Sequence, residues 1–468
     1  MHIPPRATVA PIALAGWPTR RHRVTRPAGE TAGRPPTITD VDHQAREAAP
    51  GSATRRVLTG AGAVTAGSML ANIAAYLLHL PASRWLGPEG YGAFAALLSA
   101  QLLVAVPSLA LQAVVAREHV RGVPRDVLRA LGRRAALLVA VVAASVVVPM
   151  SLLLDTPVWA TAAALAPGPV LCLLATEQGL LQGAERFRAL GVVLALAGAG
   201  KVAPAVAVLA VGGGVGPALA AGAVGVGAAW VVAARVTSGP ALAPSSLGTG
   251  GDSAGGGTLG NSAGVGPRGD GAALTSPGVA AVLAAGQVQL VMMALTSVDL
   301  LLARALLAPE DAGRYALGAV AAKAAFWLPQ AVGTVLYPRM ADPAGHRGAV
   351  RSAVTVLLGI GAVVVIGAAV AAPLVPVVVG EDYRPVAGLL WAFALLGVTL
   401  SVLQAFLLAI IASDRTVEAG IAWCGLVLTA IAVWSAPRDV EGVLAAALVT
   451  VVLTTVTAGW RALRSRPA

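Results

Sequence analysis

The sequence predicts an all-α integral membrane protein of about twelve transmembrane helices, in two six-helix lobes related by a parallel repeat. Three observations predict it. Of 468 residues, 57% are hydrophobic and 12% charged, and the mean hydropathy is +0.78; soluble chains carry about 25% charged residues. The apolar residues form continuous blocks near the ~20 residues that a helix needs to cross a bilayer. A short string in the first half of the chain also recurs in the second. A soluble enzyme, a nucleic-acid-binding domain and a disordered chain are excluded. A membrane barrel is excluded too, because the blocks do not alternate.

The spans are expected near 57–80, 91–114, 135–154, 158–180, 189–211, 216–234, 280–303, 314–337, 352–374, 385–411, 417–435 and 442–460. The fifth and sixth are the weakest, being Gly-rich and separated only by Gly212 to Gly214. Residues 1–56 are polar and rich in Arg and Pro, and are expected to be a disordered cytoplasmic extension. A misassigned start codon is the alternative. Residues 237–279 read as a flexible Gly/Ser-rich linker. The domains are therefore a lobe over 57–236, a lobe over 280–460 and a cytoplasmic tail over 461–468. Pro107, Pro167, Pro169, Pro204 and Pro329 interrupt spans, where a cavity or neighbouring protein must satisfy the freed backbone.

The net charge of +11 does not signal nucleic acid, because the basic residues lie between the apolar blocks. With a cytoplasmic N-terminus, 26 of the 33 basic residues fall inside and five outside (Arg84, Arg304, Arg314, Arg384 and Arg438). Both termini are thus expected in the cytoplasm. Trp85, Trp159, Trp230, Trp434 and Trp460 fall at span ends, as an aromatic belt requires. Arg dominates over Lys in an Ala-, Gly- and Val-rich chain, which suggests a high-GC bacterial source and hence the bacterial cytoplasmic membrane. Cys172 and Cys424 lie within spans without metal-ligand spacing and read as small core residues.

Leu86 to Ala95 aligns without gaps with Leu307 to Ala316, at an offset of 221 residues. Leu, Pro, Glu, Gly and the final Ala are identical, and Phe94 matches Tyr315. Each copy joins the first two spans of its half. An offset of six spans gives both halves the same orientation, so the repeat is parallel and encloses a cleft. The string Arg84 to Gly92 resembles the first hairpin of the bacterial polysaccharide (O-antigen-type) flippases of the multidrug/oligosaccharidyl-lipid/polysaccharide exporter superfamily. Val298 to Leu302 followed by Pro309 to Tyr315, Leu336-Tyr337-Pro338-Arg339, and Gly380 to Tyr383 are similar to later turns of that family. The long linker and N-terminal extension depart from it. The resemblance implies a flippase for a polyprenyl-pyrophosphate-linked glycan, working beside membrane lipids and other envelope polysaccharide biosynthesis proteins.

Such cargo needs cations and hydrogen-bonding groups inside the bilayer, where charges are costly and mark function. Lys201 and Lys323 lie too deep in their spans to reach either surface and are expected to line the cleft; the alternatives are a structural pair or a misplaced span for Lys201 and a structural lock with a carboxylate for Lys323. Asp299 is expected to pair with Lys323 in a charge pair that a proton or sodium ion would break. The alternative is an interface-near Asp. Arg304 and Arg84 flank the two hairpins as rim contacts for substrate or as interfacial anchors. Glu177, beside Gln178 and Gln182, is a polar cleft wall or an interhelical hydrogen-bond site. Gln112 and Gln287, like Asn72, His79, Gln289, Gln330 and Gln404, are candidates for sugar hydroxyls, the alternative for each being an interhelical hydrogen bond. Arg117, Arg121, Arg125, Arg129 and Arg133 recur every four residues, but Gly122 and Pro124 argue against one helix; they read as a headgroup anchor.

A multidrug and toxin exporter is the alternative function. It would need cleft carboxylates, which are few here. A membrane-bound glycosyltransferase would need a large outer loop or clustered carboxylates and His. Neither is present, so no enzyme and no cofactor are expected.

Overall fold

A computed structural model describes residues 67–239, 279–327, 346–412 and 420–464. The described residues are helices and turns, without strands. In the first lobe, Gly67–Val120 is broken at Gly87, whose φ of 64° no residue with a Cβ adopts readily. The break leaves α1 (67–86) and α2 (88–120). Pro88 then sits in the first turn of α2, where its missing N–H costs nothing. Next come α3 (Arg125–Leu154), α4 (Val158–Gly183), α5 (Phe187–Ala210) and α6 (Val215–Ser238). In the second lobe, α7 runs as Val279–Leu295 and Val298–Leu306, and α8 as Pro309–Trp327. There follow α9 (His346–Ala371, continued by short turns to Val378), α10 (Leu390–Ala412), α11 (Gly420–Ser435) and α12 (Val440–Arg464).

Nine stretches of the described residues are long and apolar enough to cross a membrane, and the first of them holds both α1 and α2. The protein is a multi-pass membrane protein with two lobes of six helices. Large apolar side chains such as Leu152, Val224, Val363 and Ile431 are exposed on its outside, which only lipid can cover. Trp85, Trp159, Trp434 and Trp460 are exposed near helix ends, and the Arg464 guanidinium lies 4.1 Å from the Trp460 ring centroid.

The Gly-rich α5 and α6 are one tightly packed pair. A Cβ at Gly225 would lie 1.6 Å from the Gly200 carbonyl oxygen, so only glycine permits this approach. The basic segment after α2 differs from its expected loop. Gly122, at φ 86°, ends one helix, and α3 then begins at Arg125, about ten residues before the expected span. Helix α12 likewise continues into the expected tail, to Arg464. Residues 1–66 and 240–278, with the expected extension and nearly all of the linker, lie outside the described residues. So do Pro329, Gln330 and Leu336 to Arg339.

Candidate functional site

Both hairpins, α1–α2 and α7–α8, lie at one face of the molecule, here called the hairpin face. They pack directly against each other. Gly92 of α2 meets Gly313 of α8, its counterpart at an offset of 221 residues. A Cβ on Gly313 would lie 1.8 Å from the Pro88 carbonyl oxygen, and one on Gly92 would lie 3.0 Å from the Gly313 nitrogen. Tyr91 and Tyr383 meet edge to face with ring centroids 6.2 Å apart, and the Tyr383 hydroxyl donates to the Ser83 carbonyl at 3.3 Å. Burial, reinforced by Asp382, raises the pKa of Tyr383, so this donor stays protonated. At the hairpin face the two lobes are therefore closed against each other.

Deeper than these contacts lies a cavity of about 580 Å³. It is walled by α1, α2 and α5 of the first lobe and by α8 of the second. Lys201 and Lys323 both line it, one from each lobe, with Asn72, Tyr76, His79 and Ser99 as further polar walls. Met69, Ile73, Leu102 and Trp327 supply much of the apolar surface. No carboxylate lines it among the described residues. Lys201 lies 14 residues along α5 from Phe187, and Lys323 14 residues along α8 from Pro309, each roughly 21 Å at 1.5 Å per residue. The Lys323 ammonium donates to Ser99 Oγ at 2.6 Å across the lobe interface. Lys201 has no hydrogen-bond or ion-pair partner among the described residues. His79 Nδ1 hydrogen-bonds the Tyr91 hydroxyl at 3.0 Å, linking the cavity roof to the closed face.

The other expected residues are placed elsewhere. Asp299 does not pair with Lys323. Its Oδ2 accepts a hydrogen bond from the Tyr315 hydroxyl at 2.8 Å, while Lys323 is engaged by Ser99. Asp299 Oδ1 and Ser297 Oγ are buried and meet no side-chain partner among the described residues, at the break between the two segments of α7. Glu177 is no cleft wall. Its carboxylate accepts from Arg129 Nε at 3.0 Å and Nη2 at 3.1 Å and from the Thr237 hydroxyl, which ties α3, α4 and α6 together. Gln112 donates to Gln182 at 3.0 Å, an interhelical bond, and Gln287 is exposed; neither lines the cavity. Arg304 and Arg84 also lie outside the cavity. Arg304 Nε donates to the Leu154 carbonyl at 3.0 Å and its Nη2 to that of Asp155 at 3.4 Å. Arg84 Nη2 donates to the Val377 carbonyl at 3.4 Å. The arginine series does not form one stripe: Arg117 and Arg121 both pair with Glu118, and Arg129 with Glu177.

Ser99, Tyr315 and Thr237 were not expected from the sequence. A single hydroxyl in an apolar helix most often bonds its own backbone, so Ser99 and Thr237 carried no signal. Tyr315 did carry one, as the repeat places Phe94 at the equivalent position, and the added hydroxyl is the group that meets Asp299. Among the described residues, no group of three or more His, Cys, Asp or Glu side chains is placed to hold a metal ion.

No protein-family model matches the chain, and no curated protein matches it. Solved structures do. The lipid II flippase MurJ, in an inward closed conformation, aligns with a TM-score of 0.61 at 10% identity, over 86% of this chain and 87% of that one. An inward-facing MATE-family multidrug resistance transporter of the MOP superfamily aligns with a TM-score of 0.56 at 14% identity, over 84% and 94%. The eukaryotic MATE transporter AtDTX14 aligns with a TM-score of 0.52 at 15% identity, over 88% and 97%. The chain therefore has the two-lobe fold that MATE transporters share with the lipid II flippase.

Proposed function

We propose that the chain is an alternating-access flippase for an anionic, lipid-linked saccharide in the bacterial cytoplasmic membrane, with the hairpin face outside and both termini in the cytoplasm. The observation that carries this reading is the pair of ammonium groups. Lys201 and Lys323 come from opposite lobes into one cavity whose described walls hold no carboxylate. Ionised groups at this depth are expensive without an opposite charge to meet, and a pyrophosphate supplies that charge. Among the described residues Lys201 has no partner to displace, and Lys323 has a hydroxyl that a phosphate oxygen can replace. Asn72 and His79 lie within the same cavity for saccharide hydroxyls. The fold shared with the lipid II flippase supports the same substrate class.

Drive by a proton or sodium gradient through Asp299 is part of the proposal. Its Oδ1 and the Ser297 hydroxyl, both buried beside a break in α7 and without a side-chain partner among the described residues, offer oxygens to a small cation.

Export of small molecules, as by a MATE transporter, is the second reading, and the shared fold supports it equally. An organic cation would be repelled by the two lysines, so the cavity favours anions within that reading also. The test is translocation of a fluorescent polyprenyl-pyrophosphate saccharide in reconstituted vesicles. Lys201→Ala and Lys323→Ala are expected to reduce it while membrane insertion is unchanged. Unchanged translocation by both variants overturns the proposal. Uptake of cationic dyes by the wild type, without movement of the lipid, transfers it to the second reading.

A further inference from the structure

Arg304 and Arg84, the two arginines expected at the rim of the site, do not line the cavity, and they make one contact twice. Arg304 ends the first helix of the second lobe and reaches carbonyls at the end of the third helix of the first lobe, at Leu154 and Asp155. Arg84 ends the first helix of the first lobe and reaches the carbonyl of Val377, where the third helix of the second lobe runs out. Shifted by the repeat offset of 221, Arg304 falls at position 83 and Val377 at position 156, each one residue from its counterpart Arg84 or Asp155. Between the two contacts lies the meeting of Gly92 with Gly313, which are equivalent residues, so the pseudo-two-fold axis passes through that point.

We propose that Arg304 and Arg84 are paired latches of the gate at the hairpin face, each clamping a helix end of the opposite lobe. The last carbonyls of a helix lack intrahelical partners and carry the negative end of its dipole. A guanidinium satisfies them in a fixed fork and never loses its charge. Asp155, at φ 48°, terminates α3 in the left-handed conformation and so ends the helix at this point. Glu89 and Asp155 add negative charge around Arg304. Both ends of the bond are groups that water solvates well, so separation exchanges one set of partners for another, which suits a contact made and broken in every cycle. The two latches are unequal. Arg304 is 8% exposed and donates twice, while Arg84 is exposed and donates once, at 3.4 Å. Of the two latches, Arg304 is therefore the stronger.

This rests on the alternating access proposed above, taken as a rocking of one lobe against the other, but not on the identity of the substrate, so its test contains none. The full chain, with Cys172→Ala and Cys424→Ala, carries spin labels at Val158→Cys and Leu374→Cys, exposed positions of opposite lobes at the hairpin face. Distances between labels are measured in vesicles. Arg304→Gln is expected to raise the population at long distance about tenfold or more relative to the parent, the scale of losing hydrogen bonds from a charged donor. Arg84→Gln should do so by a smaller factor, and Arg304→Lys, which keeps the charge without the fork, by an intermediate one. If Arg304→Gln fails to fold, Arg84→Gln and Arg304→Lys decide on the same readout. Distributions identical to the parent overturn the latch, including the case in which only thermal stability falls. A parent that opens under an ion gradient, with both arginines indifferent, overturns the latch and leaves the rocking intact. Labels that separate in no variant and no condition remove both.

Discussion

Glu177→Gln separates a lock within one lobe from a wall of the transport path. The Glu177 side chain is 6% exposed and accepts two hydrogen bonds from Arg129 and one from Thr237. One carboxylate thus joins three helices. Hydrogen bonds to a charged group contribute roughly 1.5–3 kcal/mol each. Arg129 is 29% exposed, so solvent screens part of its share. Breaking the pair is expected to cost about 3 kcal/mol, the low end for removing one partner of a buried ion pair. Glu177→Gln and Arg129→Met should each destabilise by about that much, and the double variant by little more than either. The coupling is then about 2–3 kcal/mol. Unfolding in mixed micelles, followed against the fraction of denaturing detergent, measures all three. Single effects that simply add would refute the lock. Loss of translocation at unchanged stability would return Glu177 to the transport path.

The contact of Gly92 with Gly313 yields a ranked prediction. Gly313→Ala should displace the hairpins and cost about 1–3 kcal/mol, the range for overpacking, while Gly92→Ala, with a 3.0 Å approach instead of 1.8 Å, should cost less; the same unfolding assay ranks them. Ser99→Ala removes the hydroxyl that meets the Lys323 ammonium. Translocation should fall several-fold, by less than in Lys323→Ala, and a rate equal to wild type would show that Ser99 does not position the lysine. Tyr315→Phe strips Asp299 of its donor and should destabilise by about 1–2 kcal/mol. In Asp299→Asn the dependence of flux on pH and sodium gradients should vanish, and a flux unchanged across those gradients would remove Asp299 from coupling.

The sequence made the twelve helices legible because each must cross a bilayer. Span length and the near absence of charge are imposed by lipid, whatever the neighbours are. The hairpins were legible for a different reason: Gly87 and Pro88 set a backbone break that the repeat nearly copies, and Gly92 and Gly313 persist where two backbones touch. Helix ends on the charged side were less legible. Hydropathy stops at the membrane, but α3 begins at Arg125 and continues through Arg129 and Arg133, held by the pair with Glu177. The weakest spans, α5 and α6, looked poor because glycine lowers hydropathy and helix propensity. In place, the same glycines permit the backbone contact of Gly200 with Gly225.

Partners were the least legible feature, and Asp299 shows why. Its depth was readable from span position, and so was that of Lys323; similar depth on consecutive helices made an ion pair the natural expectation. Depth fixes one coordinate along the membrane normal but leaves rotation about each helix axis open, and hydroxyls decide between rotations. Tyr315 turns Asp299 into its own lobe, and Ser99 holds Lys323 toward the other. The consequence reaches the proposed function. A lysine bound to its own lobe's aspartate would be neutralised and silent to a phosphate, whereas a lysine held by a hydroxyl keeps its charge available within the cavity. In the proposed cycle, the absence of an Asp299–Lys323 ion pair is what would leave the carboxylate to a small cation and the two ammonium groups to an anionic cargo, one site driving and the other carrying.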